Sequence, residues 1–208
     1  DPARFIDDLI IIDDAQGDGE LGQMPFTLWD AQKALLADIH GERLLLILKA
    51  RQLGISWLCC AYALWRCLFR AGRVVLIFSK SQDEANELTR RVTVMYQRLP
   101  AAMKNGPGMP ALLKDNTEEL DWANGSQLKA MAATKSAGRT YTASLIIADE
   151  FAFMLWAAEL YTSVKPTVDG GGKMIICSTA NGDSGVFYDL WQRAMGGVGR
   201  FVARFLPW

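Results

Sequence analysis

Four aliphatic runs, separated by helix-like segments, constrain the fold of this 208-residue chain more than any other feature. The runs are residues 44–48 (LLLIL), 73–79 (RVVLIFS), 144–148 (SLIIA) and 173–178 (KMIICS). Apolar character that is continuous rather than alternating is typical of strands buried on both faces. The predicted helices are residues 55–69, 81–99, 157–164 and 185–195, and the predicted last strand is residues 200–206. The alternation predicts an α/β fold with a doubly wound, mainly parallel sheet.

A hairpin is predicted within the same domain. Residues 119–133 alternate weakly between apolar and polar side chains around Asn124-Gly125, a dipeptide typical of tight hairpin turns. Residues 106–110 (GPGMP) precede this region and indicate a loop.

Composition narrows the class of protein without deciding its partner. The formal net charge of −1 neither indicates nor excludes a nucleic-acid partner, because phosphate contacts depend on a local basic face. The longest apolar stretch, residues 55–69, contains Arg66 and is too short to cross a bilayer, so no membrane partner is expected. The four cysteines, at positions 59, 60, 67 and 177, form no CxxC pair and are interpreted as buried free thiols in a reducing cytosol.

The segment from Lys49 to Ser56 (KARQLGIS) joins the first aliphatic run to its helix, where backbone N–H groups and a helix N-terminus can hold phosphates. On the phosphate-loop template G-x-x-x-x-G-K-[ST], Gly54 and Ser56 match, whereas Lys49 and Ile55 replace the first Gly and the Lys. Lys49 or Arg51 could supply the positive charge that the template's lysine would provide, and Ser56 could supply a hydroxyl for Mg²⁺. The alternative is an ordinary strand-to-helix turn with two solvated basic residues. The predicted nucleotide-binding residues of the loop are Lys49, Ala50, Gln52, Leu53, Gly54, Ile55 and Ser56.

The third aliphatic run ends in Asp149-Glu150, 93 residues beyond Ser56. In nucleoside triphosphatases an aspartate at this position binds Mg²⁺ through its water shell, and the following glutamate polarises the attacking water. The alternative is a strand that ends in two solvated acids. Together with the loop, the pair predicts hydrolysis of ATP with Mg²⁺, in which Glu150 is catalytic and Asp149 and Ser56 hold the metal.

These residues resemble the large terminase subunit of tailed double-stranded DNA bacteriophages, in which the R-Q-L-G-x-S form of residues 51–56 is a hallmark. The resemblance covers nearly the whole chain. It implies a P-loop NTPase fold, RecA-like and of the class with an additional strand and a catalytic glutamate. It also implies an ATP-hydrolysing motor that translocates double-stranded DNA into the procapsid. The implied partners are DNA, a homo-oligomeric ring on the portal, the small terminase subunit and the portal protein, in the cytoplasm of the infected bacterium rather than in the mature virion.

The resemblance assigns further residues of the site. Residues 25–32 (PFTLWDAQ) are similar to the adenine-recognition segment, in which Gln32 would bond the adenine edge and Phe26 or Trp29 would pack near the base. A buried Gln on a helix with aromatic neighbours is the alternative. Ser178 and Thr179 resemble the coupling motif that senses the γ-phosphate.

An arginine that stabilises the γ-phosphate is also implied by the resemblance. Arg139 is the candidate for action on a neighbouring subunit, and Arg51 is the candidate within its own subunit. A surface arginine is the alternative for each. The chain departs from the family pattern at Ile55, where many relatives carry a lysine. Lys49, a lysine displaced to the start of the loop, would compensate for its loss, and weakened catalysis is the alternative.

The predicted organisation is a single ATPase domain over residues 1–208, with an adenine-side segment at 1–42 and the P-loop core at 43–208. A nuclease domain is expected after residue 208, so no nuclease activity is expected from this chain. The alternatives are a helicase-like DNA translocase, a nucleotide-binding structural module with little turnover, and a DNA-binding scaffold. An acidic cluster is interpreted as a solvated face, with a metal site as the alternative, and consists of Asp115, Glu118, Glu119 and Asp121. The scaffold would need a basic face, for which the candidates, interpreted as the solvated side of a helix and its flanking loop, are Arg90, Arg91, Arg98 and Lys104.

Overall fold

The computed structural model describes residues 1–14 and 22–207 of the chain. Its helices are α1 (Pro2–Leu9), α2 (Asp30–Gly41), α3 (Ile55–Phe69), α4 (Gln82–Gln97), α5 (Ala101–Lys104), α6 (Ala157–Asp169) and α7 (Val186–Met195). Its strands are β1 (Ile11–Asp13), β2 (Gln23–Pro25), β3 (Leu44–Lys49), β4 (Val74–Ser79), β5 (Leu112–Asp115), β6 (Glu119–Trp122), β7 (Gln127–Ala132), β8 (Leu145–Asp149), β9 (Lys173–Ser178) and β10 (Val202–Leu206). β1 and β2 form a small antiparallel sheet of their own.

The other eight strands form one sheet in the order β10-β3-β9-β8-β4-β7-β6-β5. Each pairing from β10 to β7 is parallel, and β6 and β5 continue the sheet in the antiparallel direction. β9 therefore lies between β3 and β8, as the class with an additional strand requires. The carboxyl ends of β3, β9 and β8 meet at one edge of the sheet, which is where ligands bind in open α/β folds.

Both faces of the sheet are covered, which explains the continuous aliphatic runs. Along β3, Leu45 and Ile47 belong to the core cluster that includes α3 and α4, whereas Leu44 and Leu46 belong to the opposite cluster with α6. Successive strand residues point to opposite faces, so a strand between two helical layers needs an apolar residue at every position. The prediction of a doubly wound, mainly parallel sheet is confirmed.

Several local predictions are also confirmed. Ser81 caps α4 by accepting the N–H of Glu84 at 3.3 Å. Asn124-Gly125 turns the chain between β6 and β7, with Gly125 at φ 79°. All four cysteines are free and buried. The helix predicted at 157–164 instead continues to Asp169 and contains Pro166.

Candidate active site

Several of the residues predicted to hold and cleave ATP gather at the carboxyl edge of the sheet. Lys49 ends β3, Asp149 ends β8, and Ser178 ends β9 with Thr179 directly after it. Because β9 separates β3 from β8, its end brings Thr179 between the basic and the acidic residues. Strand order thus assembles a site from three segments that are far apart in the sequence.

Lys49 forms an ion pair with Glu150, in which Nζ lies 2.7 Å from Oε1. The Lys49 side chain is 7% exposed and the Glu150 side chain 27%. Burial acts against both charges, but the hydrogen bond between the two side chains prevails. It raises the pKa of Lys49 and, with the charge of Lys49 and the Thr179 donors, lowers the pKa of Glu150. Both groups are therefore charged at neutral pH.

The second carboxylate oxygen of Glu150 is bound by Thr179. Oε2 accepts hydrogen bonds from the backbone N–H and the hydroxyl of Thr179, each at 3.2 Å. Glu150 has φ 52°, in the left-handed region, which is uncommon for a residue with a side chain and frequent at functional sites. Ser178 accepts the N–H of Ala152 at 3.1 Å and so fixes the turn that follows Glu150. Glu150, predicted to activate water, is thus in direct contact with Thr179, one of the two predicted coupling residues.

Asp149 is buried at the end of β8, with 7% of its surface exposed. Its Oδ1 accepts the N–H of Glu150 at 3.1 Å and the thiol of Cys177 at 3.2 Å. Among the described residues no hydrogen bond reaches Oδ2. A carboxylate oxygen left free in this way and the hydroxyl of Ser56, in the first turn of α3, fit Mg²⁺, which takes one or two protein oxygens beside phosphates and water. Cys177 is a contact that the sequence pattern did not indicate.

The phosphate loop enters α3 through two residues with positive φ, Gln52 at 62° and Gly54 at 68°. Gly54 is the N-cap of α3, so the first N–H groups of the helix face the carboxyl edge of the sheet. The side chain of Ile55 is 1% exposed and belongs to the core. Ile55 therefore offers only its backbone to a phosphate, and the usual lysine position of the loop is taken by a packing residue.

The adenine-side segment packs on this loop. Gln32 is buried, with Oε1 accepting the N–H of Trp29 at 3.0 Å and Nε2 donating to the carbonyl of Leu53 at 2.9 Å. A Cβ atom on Gly54 would lie 3.0 Å from Nε2 of Gln32 and 3.6 Å from the ring of Phe26. Phe26 is buried, whereas Trp29 is 60% exposed. In this conformation the Gln32 amide links α2 to the phosphate loop.

The two candidate arginines lie in different places. Arg51 is exposed in the phosphate loop. Arg139 is exposed on the segment between β7 and β8 and lines a pocket together with Arg43 and Lys173, which stand at the amino ends of β3 and β9. Arg139 is therefore not brought to the Lys49–Glu150 pair of its own chain.

Two other sequence interpretations need correction. The acidic cluster is not fully solvated, because Glu119 is 13% exposed and pairs with Lys114 at 2.6 Å and Lys129 at 3.1 Å. One oxygen of Asp121 is buried without a partner, and burial together with Glu119 raises the pKa of Asp121.

Within the described part of the chain, no three histidine, cysteine or acidic side chains are grouped to hold a metal. None of the helices there has the length and apolar character that a membrane span requires. The basic candidates on α4 are largely neutralised by ion pairs with Asp13 and Glu87.

The sheet order, the loop before α3 and the acidic end of β8 are those of the P-loop NTPase fold. The family model described as "Terminase large subunit, T4likevirus-type, N-terminal" matches residues 46–200. The chain belongs to this terminase large subunit family.

Solved structures of phage terminases have the same fold. The ATPase domain of the Thermus phage P74-26 large terminase is 17% identical, with a TM-score of 0.65 over 87% of this chain and 81% of that one. The large terminase of bacteriophage HK97 is 16% identical, with a TM-score of 0.74, and the match covers 98% of this chain but 43% of that one. The large terminase of a thermophilic bacteriophage, in complex with ADP, is 11% identical with a TM-score of 0.62, over 86% of this chain and 45% of that one. The chain thus spans less than half of two of these relatives.

Proposed function

We propose that this chain is the ATP-hydrolysing motor domain of a viral DNA-packaging enzyme and couples hydrolysis to translocation of double-stranded DNA into a procapsid. The observation that carries the proposal is the contact of Glu150 with both Lys49 and Thr179 at the carboxyl edge of the sheet. Family membership supports it, as do the structures of the thermophilic bacteriophage's large terminase described as complexes with ADP and ATP-gamma-S. We further propose a homo-oligomeric ring on the portal, the small terminase subunit and the portal protein as partners, and the cytoplasm of an infected bacterium as the location.

The loop and α3 would bind the triphosphate. Backbone N–H groups from Arg51 to Ser56 lie where a helix N-terminus favours phosphate, whereas the N–H of Ala50 already donates to the carbonyl of Leu206 at 3.0 Å. Lys49 is the buried cation at the start of the loop. Mg²⁺ held by Ser56 and Asp149 would neutralise charge on the phosphate oxygens. Gln32 and Phe26, packed against Gly54, would place the adenine side of the site next to the loop.

Glu150 would orient the attacking water and accept its proton. In the nucleotide-free site both carboxylate oxygens are occupied, one by Lys49 and one by Thr179. Attraction of Lys49 to a bound phosphate would free Oε1 for water, and departure of the γ-phosphate would return Lys49 to Glu150. The same carboxylate would transmit this change to Thr179 and onward from Ser178. Arg139 of a neighbouring subunit would stabilise the charge that develops on the γ-phosphate.

The first experiment measures Mg²⁺-dependent ATP hydrolysis over a range of protein concentrations. Turnover per subunit should rise with concentration and should be lost in Glu150→Gln. Arg139→Ala should lower turnover about 10³-fold or more, as removal of an arginine finger does in related enzymes. Arg4→Ala, which removes an exposed arginine on α1, is the matched control and should turn over normally.

A mixing experiment separates action on a neighbour from action within one chain. Glu150→Gln retains Arg139, and Arg139→Ala retains Glu150, so a mixed ring contains interfaces that are complete only when the arginine acts between subunits. Recovery of turnover on mixing would support the arrangement. Two inactive variants that stay inactive together would contradict it. ATP binding without turnover at any concentration would favour the nucleotide-binding structural module.

A further inference from the structure

A wide basic pocket lies at the amino edge of the parallel strands, across the sheet from the candidate active site. Its volume is about 940 Å³. Five cationic side chains line it, namely Arg43, Arg66, Arg73, Arg139 and Lys173. Its remaining lining among the described residues is hydroxyl side chains, glycines and a few apolar groups, without a carboxylate.

The strand order creates this concentration of charge. Arg43, Arg73 and Lys173 stand at the starts of β3, β4 and β9, which the parallel arrangement places at the same edge. Arg66 reaches the pocket from the end of α3. Cations that are far apart in the sequence therefore converge, and each raises the cost of the others' charge.

This charge has little compensation inside the described part of the protein, where the carboxylate of Glu42 acts on Lys173 without forming a salt bridge. None of the five cations takes part in a salt bridge there. The Nε atoms of Arg66 and Arg73 are buried without a hydrogen-bond partner. Arg43 donates to the carbonyl of Val168 at 2.6 Å, and the Lys173 ammonium donates to backbone carbonyls at the end of α2. Burial and the nearby charge of Arg66 lower the pKa of Lys173 to about 8.

The arginines of α4 and its C-terminal end differ from the pocket cations because they form salt bridges. On α4, Arg90 lies 2.8 Å from Asp13 and 2.6 Å from Glu87, and Arg98 lies 2.7 Å from Asp13. Arg91 shares Glu87 at 3.1 Å. Nη1 of Arg98 is also buried without a hydrogen-bond partner, so the difference lies in the ion pairs. These arginines already have anionic partners, with which an external phosphate would have to compete.

We propose that the amino-edge pocket binds the phosphate backbone of DNA. Cations without acidic partners, arginine donors without acceptors and an open cavity of about 940 Å³ match a chain of closely spaced anions better than a single ion. The pocket reads no bases, because a phosphate contact carries no sequence information. The proposal rests on the proposed function in taking DNA as the substrate of the motor. Arg139 lies on the wall of the same pocket and is left unchanged in the test because of its separate proposed role.

The test measures binding of the whole chain to a fluorescein-labelled 30-base-pair duplex by anisotropy across a series of salt concentrations. Removing two phosphate contacts with the double variant Arg66→Gln/Arg73→Gln should weaken binding and reduce the salt slope of log K by about 1.8. Arg90→Gln/Arg91→Gln changes the net charge equally and should leave the slope unchanged. Arg66→Lys/Arg73→Lys preserves the charge and should retain most of the binding, and circular dichroism melting confirms that each variant is folded.

Two results would overturn the proposal. One is an unaltered chain that shows no salt-dependent binding. The other is a folded Arg66→Gln/Arg73→Gln variant that binds DNA like the unaltered chain. If that variant also loses the concentration dependence of ATP turnover, the pocket is a contact between subunits instead. ATP turnover measured without DNA tests the proposed function separately, since DNA binding through the pocket would stand in a chain that hydrolyses nothing.

Discussion

Replacing Lys49 by Met removes the cation from a pair that is mostly buried, and its effect on stability can be worked out from the contacts. Breaking a buried ion pair from one side costs about 3–5 kcal/mol, because the remaining charge is left without compensation. The Glu150 side chain is 27% exposed and keeps its Thr179 donors, so we expect a loss of about 2–3 kcal/mol, below the fully buried range. For a chain of this size that corresponds to a melting temperature lower by roughly 4–12 °C.

A double-mutant cycle attributes this loss to the pair. Urea unfolding is measured for Lys49→Met, for Glu150→Gln and for the chain that carries both substitutions. The double variant contains two neutral groups of similar size, so it should be more stable than the sum of the single losses predicts, by about 1 kcal/mol or more. Lys165→Met on α6 breaks an exposed ion pair and should leave the free energy of unfolding nearly unchanged. Losses that add within about 0.5 kcal/mol would refute the reasoning, because the two side chains would then be energetically independent.

Three further predictions concern the loop, the titration of the pair and the thiols. Gly54→Ala should lower the free energy of unfolding by about 1–2 kcal/mol and weaken binding of a fluorescent ATP analogue. Alanine at φ 68° is strained, and its Cβ would lie 3.0 Å from Nε2 of Gln32. Unchanged melting and binding would contradict this prediction. Burial tends to raise the pKa of Glu150, but the hydrogen bond from Lys49 holds it below 4.5. The ionised Glu150 therefore contributes fully to stability above pH 4.5, and this contribution is lost as the pH falls through the lowered pKa. Acid unfolding followed by circular dichroism should therefore be less steep in Glu150→Gln than in the unaltered chain. A thiol reagent should modify the folded chain slowly and all four cysteines on unfolding in urea, and rapid labelling of the native protein would show that the thiols are accessible.

The central strands could be predicted from the sequence because they are buried on both faces. β3, β4, β8 and β9 lie within one or two residues of the predicted bounds, since a continuous aliphatic run has few other uses in an α/β domain. The short elements α1, β1, β2 and β5 were not predicted. They are three to eight residues long, too short to show a hydrophobic period.

The site could be predicted in its residue types but not in its contacts. The loop motif ending at Ser56 and the Asp149-Glu150 pair 93 residues further on indicated a phosphate loop and an acidic strand. Neither indicated that Lys49 binds Glu150 or that Gln32 donates to Leu53. Such contacts depend on which strands are neighbours, and strand order is not encoded in the local pattern. The same holds for the basic pocket, whose cations converge only when the strands are arranged.

The position of β3 in the sheet has a consequence for synthesis of the protein. β3 carries the phosphate loop, and its two hydrogen-bonded neighbours, β9 and β10, both come from the last fifth of the chain. The N–H of Ala50, at the start of the loop, donates to the carbonyl of Leu206 at 3.0 Å. β3 is synthesised long before β9 and β10. The backbone N–H and C=O groups of β3 therefore lack their native partners until those two strands have been made. The edge of the sheet that carries the phosphate loop is therefore complete only after β10 has been synthesised, so we expect ATP to bind only to a chain that has been made at least as far as Leu206.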